Sequence, residues 1–456
     1  SLQNISRQVS STQNKLATGN KVNSAIDNPS SYYTARSLNN RANDLDALLD
    51  SMGQAVSTIK TATTALETGA TFLEQAAAVA SSALETAKIP GKEWFASQDN
   101  VSAVVSNWSE LKAALDSGKV GNIVIYGNIT AEDTITLKAG QNLVGVGYYG
   151  ISEPDIDKYS QINIDLEKLG VTDGIKTQAD NLLISDISIK ATTRKSVINH
   201  VINFANTSNH ILQNVDIMMN NSEQDEYKQN PISSSAISGG KNIGIYGIIS
   251  IAEKSAVSDT DIHNIGIERS DIHIFGELNI NLLQRSSYGI GNTDTTVENA
   301  ASLNIVSKGR AISGGISNFN GNAQINIDAN NAFVYGTHNV NDQAMVNINA
   351  GRFLQSYKNG AVETPITFNL NSILAKVNIN TTGTLFDYSG PTTTFTSVSG
   401  SQMSVNGKMY KADGAVNDNT MTGNNMPAGM VEVAGAVVEP VPNLDWLKEQ
   451  NANRSM

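Results

Sequence analysis

Few stretches of this sequence carry the residue types that chemistry would need. Asn292-Thr293-Asp294 offers one carboxylate between polar neighbours. Inverting glycoside hydrolysis would ask for two carboxylate roles about 6.5–9.5 Å apart, so this stretch would need a partner from elsewhere in the fold. Asp259, Asp261, Glu268, Arg269 and Asp271 set acids beside a base, as a cation-assisted proton-abstraction site would, and as solvated turns also do. Asp261-Ile262-His263 and Asp271-Ile272-His273 repeat an Asp-x-His unit that offers oxygen and nitrogen ligands to a metal, but without the HExxH spacing. His200, His210 and His338 stand alone. No Gly-rich loop opens a helix to cradle a phosphate, and there is no nucleophile elbow. The absence of cysteine excludes disulfides, thiol catalysis and Cys-ligated zinc or iron–sulfur centres. These residues assign no catalytic group, no metal site and no cofactor.

Composition narrows the partners. The 456 residues carry 43 acidic against 31 basic side chains, a net charge of −12. That balance argues against a nucleic-acid backbone or an anionic membrane surface as the main partner. Hydrophobic residues make up 40 % and charged ones 16 %, enough for a real core and too few charges for global disorder. No run approaches the roughly 18 apolar residues of a membrane span. The opening SLQNISRQVSSTQNKLATG lacks the apolar centre of a secretory signal.

The elements that would position anything fall into two parts. Through Lys88 the chain has a single proline, Pro29, and is rich in Ala, Leu, Ser and Gln. From Trp94 it turns to Asn, Ile, Val, Gly, Thr and Ser, which suit strands and tight turns. Leu38, Leu45, Leu49, Met52, Val56, Ile59, Leu66 and Leu73, with Ala42, Thr63, Ala70, Ala77, Ala80 and Leu84, alternate in steps of four and three. This seam runs roughly 70 Å at 1.5 Å per residue. Ile5, Val9, Thr12 and Leu16 repeat it in miniature, and the breaker-rich TGNKVNSAIDNPSS between the two predicts a loop. An ordinary amphipathic bundle helix has the same spacing. Either way, a helix with so many small seam residues needs partners close by.

LATGNKVNSAIDNPSSYYTA followed by RSLNNRANDLDALLDSMGQAVSTIKTA, together Leu16 to Ala62, resembles the N-terminal region of bacterial flagellins, most closely the alphaproteobacterial type. The family residues of the loop are Leu16, Gly19, Val22, Asn23, Ala25, Asp27, Asn28 and Pro29. The resemblance implies a filament subunit whose terminal helices bundle with those of other subunits. It also implies export through the flagellar secretion channel, without a cleaved signal peptide. Two departures qualify it. The chain starts at Ser1 and stops after NLDWLKEQNANRSM without the family's returning C-terminal helices, so this stretch alone is not expected to polymerise. Leu73 to Val79 carries no arginine, so the basic innate-receptor patch of some flagellins is not expected.

The second part repeats. Leu303-Asn304-Ile305, Ile325-Asn326-Ile327, Val346-Asn347-Ile348 and Phe368-Asn369-Leu370 set one triplet at 21–22-residue intervals, with Leu278-Asn279-Ile280 upstream. Ile290, Ile312, Val334 and Leu354 follow as a second set. NLLISDISIK, NHILQNVDIMM and NIGIYGIISI, beginning at Asn181, Asn209 and Asn242, read as further turns of the same pattern. Short strands at this period predict a parallel β-helix, with a β-sandwich as the alternative. Trp108 to Gly150 is similar to the opening of pectate-lyase-like β-helix domains, a cap helix leading into LKAGQNLVGVG. Polygalacturonase-like relatives of that fold use an Asn-Thr-Asp triplet, but their Gly-His-Gly and basic triplet are missing here.

The reading is an α + β multidomain chain: a long coiled-coil-like helical stalk at 1–90, a right-handed parallel β-helix at 91–430, and an extended linker with a loose tail at 431–456. It points to a structural, non-enzymatic subunit of the extracellular flagellar filament. The expected partners are other flagellin subunits, the export apparatus or a chaperone, and glycans, with no nucleic acid and no membrane. The alternative is a polysaccharide-binding or polysaccharide-cleaving protein on a borrowed stalk.

Overall fold

A computed structural model describes residues 2–86, 91–150, 160–193, 197–221, 232–254, 262–284, 286–359, 362–387 and 393–454. The chain divides into two compact units, 1–88 and 89–456. The first is helical, with α1 (Leu2–Thr18) and α2 (Pro29–Thr86), the latter 58 residues long. No described helix is long and apolar enough to cross a membrane.

The second unit is a large sheet in which nearly every pairing is parallel. Its strands fall into three rows, and each row is an unbroken column of buried apolar residues. In one row Ile129, Ile162, Ile189, Ile217, Ile251, Ile280, Ile305, Ile327, Ile348, Ile379 and Val405 are successive register partners. A second column runs from Ile135 through Ile175, Ile202, Ile237, Ile267, Ile290, Ile312, Phe333 and Leu354 to Phe386. The third includes Ile123, Leu143, Ile184, Leu212, Ile245, Ile274, Val297, Phe319, Val340 and Leu370. All three belong to one hydrophobic cluster. β-Branched side chains stacked strand over strand suit a pleated surface, and each buried one is worth about 1.5–3 kcal/mol.

Corners between rows are made by single residues at positive φ. Asn181, Asn209, Asn242 and Asn292 each sit one or two residues before a strand, at φ between 46 and 60°. Asp186 and Asn214 make the second kind of bend inside long strands. Asn and Asp tolerate this region because their short polar side chains bond locally. Gly145 lies against such a corner, where a Cβ would collide with the Asp186 carbonyl oxygen, so the LVGVG stretch requires glycine there.

Both ends of the sheet are closed. α3 (Trp108–Ser117) is capped by Asn107, whose Oδ1 accepts from Glu110 N, and buries Leu111 and Leu115 in the same core as Ile123 and Ile135. At the other end Gln402–Val405 turns through Asn406-Gly407, both at positive φ, into an antiparallel partner at Lys408–Ala412, the Asn-Gly signature of a tight hairpin. Val416–Asp418 and Met430–Glu432 add further antiparallel pairs, covering an edge that would otherwise pair freely.

Three sequence readings are corrected. Phe368-Asn369-Leu370 does not succeed Val346-Asn347-Ile348; the partner is Val377-Asn378-Ile379, 31 residues on. The interval lengthens because the chain makes an extra antiparallel pair, Tyr357–Asn359 with Val362–Thr364. Phe333, not Val334, continues the column of Ile290 and Ile312. The tail, read as loose, ends in a helix at Asp445–Arg454 that packs on the strands.

Candidate functional site

In the helical unit the family loop is built from local bonds. Gly19, at φ 67°, ends α1 as a left-handed cap. Asn23 reaches back to that last turn, donating through Nδ2 to Asn14 O at 3.1 Å and accepting at Oδ1 from Thr18 Oγ1 at 2.7 Å. Asn28 then caps α2, its Oδ1 accepting from Ser31 N at 3.0 Å, and Pro29 occupies the first helical position, where its missing N–H costs nothing. Val22 and Ala25 are half-buried, whereas Leu16 and Asp27 are exposed.

The seam residues Leu38, Leu45, Leu49, Met52, Val56, Ile59, Leu66 and Leu73 lie on α2 with 56–75 % of their surface exposed. Ile5, Val9 and Leu16 of α1 are equally uncovered. Monomeric soluble proteins rarely expose an apolar stripe of this length. The threonines of α2 add to it. Thr58, Thr61, Thr63, Thr64, Thr68 and Thr71 each donate their hydroxyl to the carbonyl four residues back, at 2.8–3.0 Å. With its hydroxyl satisfied inside the helix, Thr63 presents a methyl group at its seam position. The side chains of Ala77, Ala80 and Leu84 lie outside the described residues.

The chemistry-bearing stretches are spent on structure. Asn292 is a positive-φ corner whose Oδ1 accepts from Tyr335 Oη at 2.8 Å. Asp294 Oδ1 accepts from Ile316 N at 2.8 Å, holding the next strand. Asp259 and Asp261 lie outside the described residues. His273 sits 3.2 Å from Glu298 and 3.7 Å from Asp271, whereas His263 meets the Ser286 carbonyl at 3.1 Å. Among the described residues no group of three or more His, Asp or Glu is arranged to hold a metal.

Buried ionisable groups were not legible as such in the sequence. His338 is bonded through Nδ1 to Ser317 Oγ at 3.1 Å and through Nε2 to Tyr335 O at 3.2 Å. Burial lowers its pKa to about 4, and that of His210, stacked on Phe204 at 4.5 Å, also to about 4. Glu253 is pushed up by burial although Asn264 Nδ2 and Gln284 N donate to its two oxygens at 2.5 Å. His200 Nδ1 lies 2.6 Å from Ser235 Oγ and 3.6 Å from Glu268 Oε1. Both oxygens meet one ring nitrogen, unlike a nucleophile relay, in which hydroxyl and carboxylate take opposite nitrogens. Ser235 is also fully buried. At the start of this unit Lys92 and Ser106 N both donate to Glu110 at 2.8 Å, and its pKa falls to about 2, chiefly through Lys92.

Comparison with known proteins bears on the first 107 residues. No curated protein and no solved structure matches the chain. Residues 1–107 match the family model of the bacterial flagellin N-terminal helical region, and the resemblance carried by Leu16 to Ala62 is thereby borne out for this part of the chain.

Proposed function

We propose that this chain is a structural subunit of the bacterial flagellar filament, extracellular and not an enzyme. In this reading residues 1–90 supply the filament-side helices, and the strands of 91–430 form a right-handed parallel β-helix displayed on the surface. Other flagellin subunits are its partners through the seam, with the flagellar export apparatus or a chaperone as a further partner, and it leaves the cell without a cleaved signal peptide. The observation that carries the reading is the uncovered seam from Leu38 to Leu73 on a region that matches flagellin. Three parallel rows with strand partners 21–31 residues apart support the β-helix. Immunogold electron microscopy of the source cells, with antibody to residues 100–430, tests the whole reading. Gold spaced along the flagellar filaments is expected; gold confined to cell bodies or medium would overturn it.

A second reading, a polysaccharide-binding display, rests on outward-facing amides. Asn339 and Asn369 continue a ladder from Asn318 at 2.8 and 2.7 Å, and Asn341 and Asn371 one from Asn320 at 2.9 Å. Tyr246 and Phe275 stack at 4.8 Å nearby in the same row and are partly exposed. Uncharged groups that both donate and accept suit polyhydroxyl chains. Retention on a panel of neutral and uronate polysaccharides, lost on Asn341→Asp with Asn371→Asp, would favour it. Shortened uronate chains, with loss on Asp294→Asn, would be needed for cleavage.

A further inference from the structure

The outward column beside the isoleucine row is mostly amide and acid: Asn281, Val306, Asp328, Asn349 and Asn380 are successive register partners. Val306 is an apolar side chain on this outer face, as are Met218 and Ala252 further along the same column, and it is buried. What buries it comes from the far end of the chain. Leu444 and Leu447 pack on Val306 in a cluster separate from the main core. On one side, Asn281 Nδ2 donates to Leu447 O at 2.6 Å across 166 residues. On the other, Lys448 Nζ meets Asp328 Oδ2 at 2.5 Å across 120 residues. The helix start is fixed by Asn443, whose Oδ1 accepts from Asp445 N at 2.7 Å. One turn of helix thus presents an amide acceptor, an apolar pair and a cation to three consecutive strands bearing an amide donor, a valine and a carboxylate.

The backbone pairing of the rows joins each strand to its neighbours above and below, and such stacks open locally wherever the neighbour contacts are weakest. We infer that residues 443–448 are a clasp that ties Glu277–Leu282, Ser302–Ser313 and Gln324–Val334 into one cooperatively opening block. The surface formed by Asn281, Val306 and Asp328 is the receptor for this clasp. The segment leading to it, 434–443, lacks regular structure, and its ion pair among the described residues, Lys376 with Glu439 at 3.8 Å, is exposed. The clasp is therefore free to release without disturbing the rows, which keep their own buried columns.

Hydrogen exchange on the full chain tests this. Leu444→Asp with Leu447→Asp is expected to speed exchange about tenfold, and together, in 279–282, 303–307 and 325–328, leaving 366–370 unchanged. A change confined to residues 443–454 would overturn the inference, as would acceleration spread over every row. Because the chain has no cysteine, Val306→Cys with Leu447→Cys gives a clean tether. Oxidation should slow opening of all three strands about tenfold below the reduced form. Failure of the pair to oxidise, or equal opening in both forms, would sink the idea without any question of misfolding.

Discussion

Ile59 and Ile305 both sit in regular secondary structure, yet Ile59 leaves 65 % of its surface to solvent and Ile305 none. The difference holds for the units they belong to. In α2 the periodic residues are exposed along the whole described seam, whereas the strands beyond Gly121 turn three columns of apolar residues into one core. Charge divides the same way. Through Lys88 there are seven basic and seven acidic residues, so the entire net charge of −12 belongs to the second unit. A neutral helix with an open apolar stripe has the character of half an interface in the reading proposed above. An acidic body with its apolar residues inside is finished, and its repulsion favours solubility.

The largest expected effect breaks this contrast at the seam. Leu45→Asp with Ile59→Asp should abolish co-assembly with full-length flagellin subunits, read by electron microscopy and sedimentation. The thermal transition of the second unit should stay where it was, because neither residue belongs to its core. Assembly that survives both charges would mean the stripe is not the contact surface. The converse change, Ile305→Ala, removes packing from the middle of an eleven-member column. It should cost about 2–5 kcal/mol of second-unit stability, read by denaturant unfolding, and leave α2 helicity untouched.

How far the sequence carried these conclusions depends on the range of the contacts. The four-and-three spacing of Leu38 to Leu73 and the Asn-centred triplets are local periodicities, and they were legible. The asparagines that open NLLISDISIK, NHILQNVDIMM and NIGIYGIISI could have been read as corners, since Asn ahead of an apolar run is a known signal for positive φ. The misplacement of Phe368-Asn369-Leu370 came from equal spacing across an inserted strand pair, which no period can reveal. The clasp was invisible for another reason. Leu444, Leu447 and Lys448 pair with residues 120 or more positions away, a range that no local period reaches.

The contrast sharpens with pH. All five histidines lie in the second unit, and His338 and His210 are held neutral to about pH 4 by burial. In the unfolded chain they would take a proton near 6.5. Between those limits the unfolded state binds more protons, so stability is full above about pH 6.5 and falls as pH drops toward 4. His338, fully buried, should account for about 3 kcal/mol of that loss. Denaturation of the second unit at pH 7.5 and 4.5 measures it, and His338→Gln should flatten the slope. A slope unchanged by that substitution would mean the ring is not neutral in the fold.

The smallest effect lies back on the helix. Gly53 and Gly69 flank the seam residues Met52 and Ala70, and a Cβ at either would meet nothing within 4 Å. In an isolated helix each glycine costs about 1 kcal/mol relative to alanine, so Gly53→Ala and Gly69→Ala should raise the helicity of the unassembled chain by circular dichroism. Nothing within this unit requires glycine at these positions, which leaves close approach of a neighbouring backbone as the packing reason for them. The same substitutions should therefore slow assembly while strengthening the helix. Equal gains in helicity and assembly would mean that partner helices meet the stripe through side chains alone.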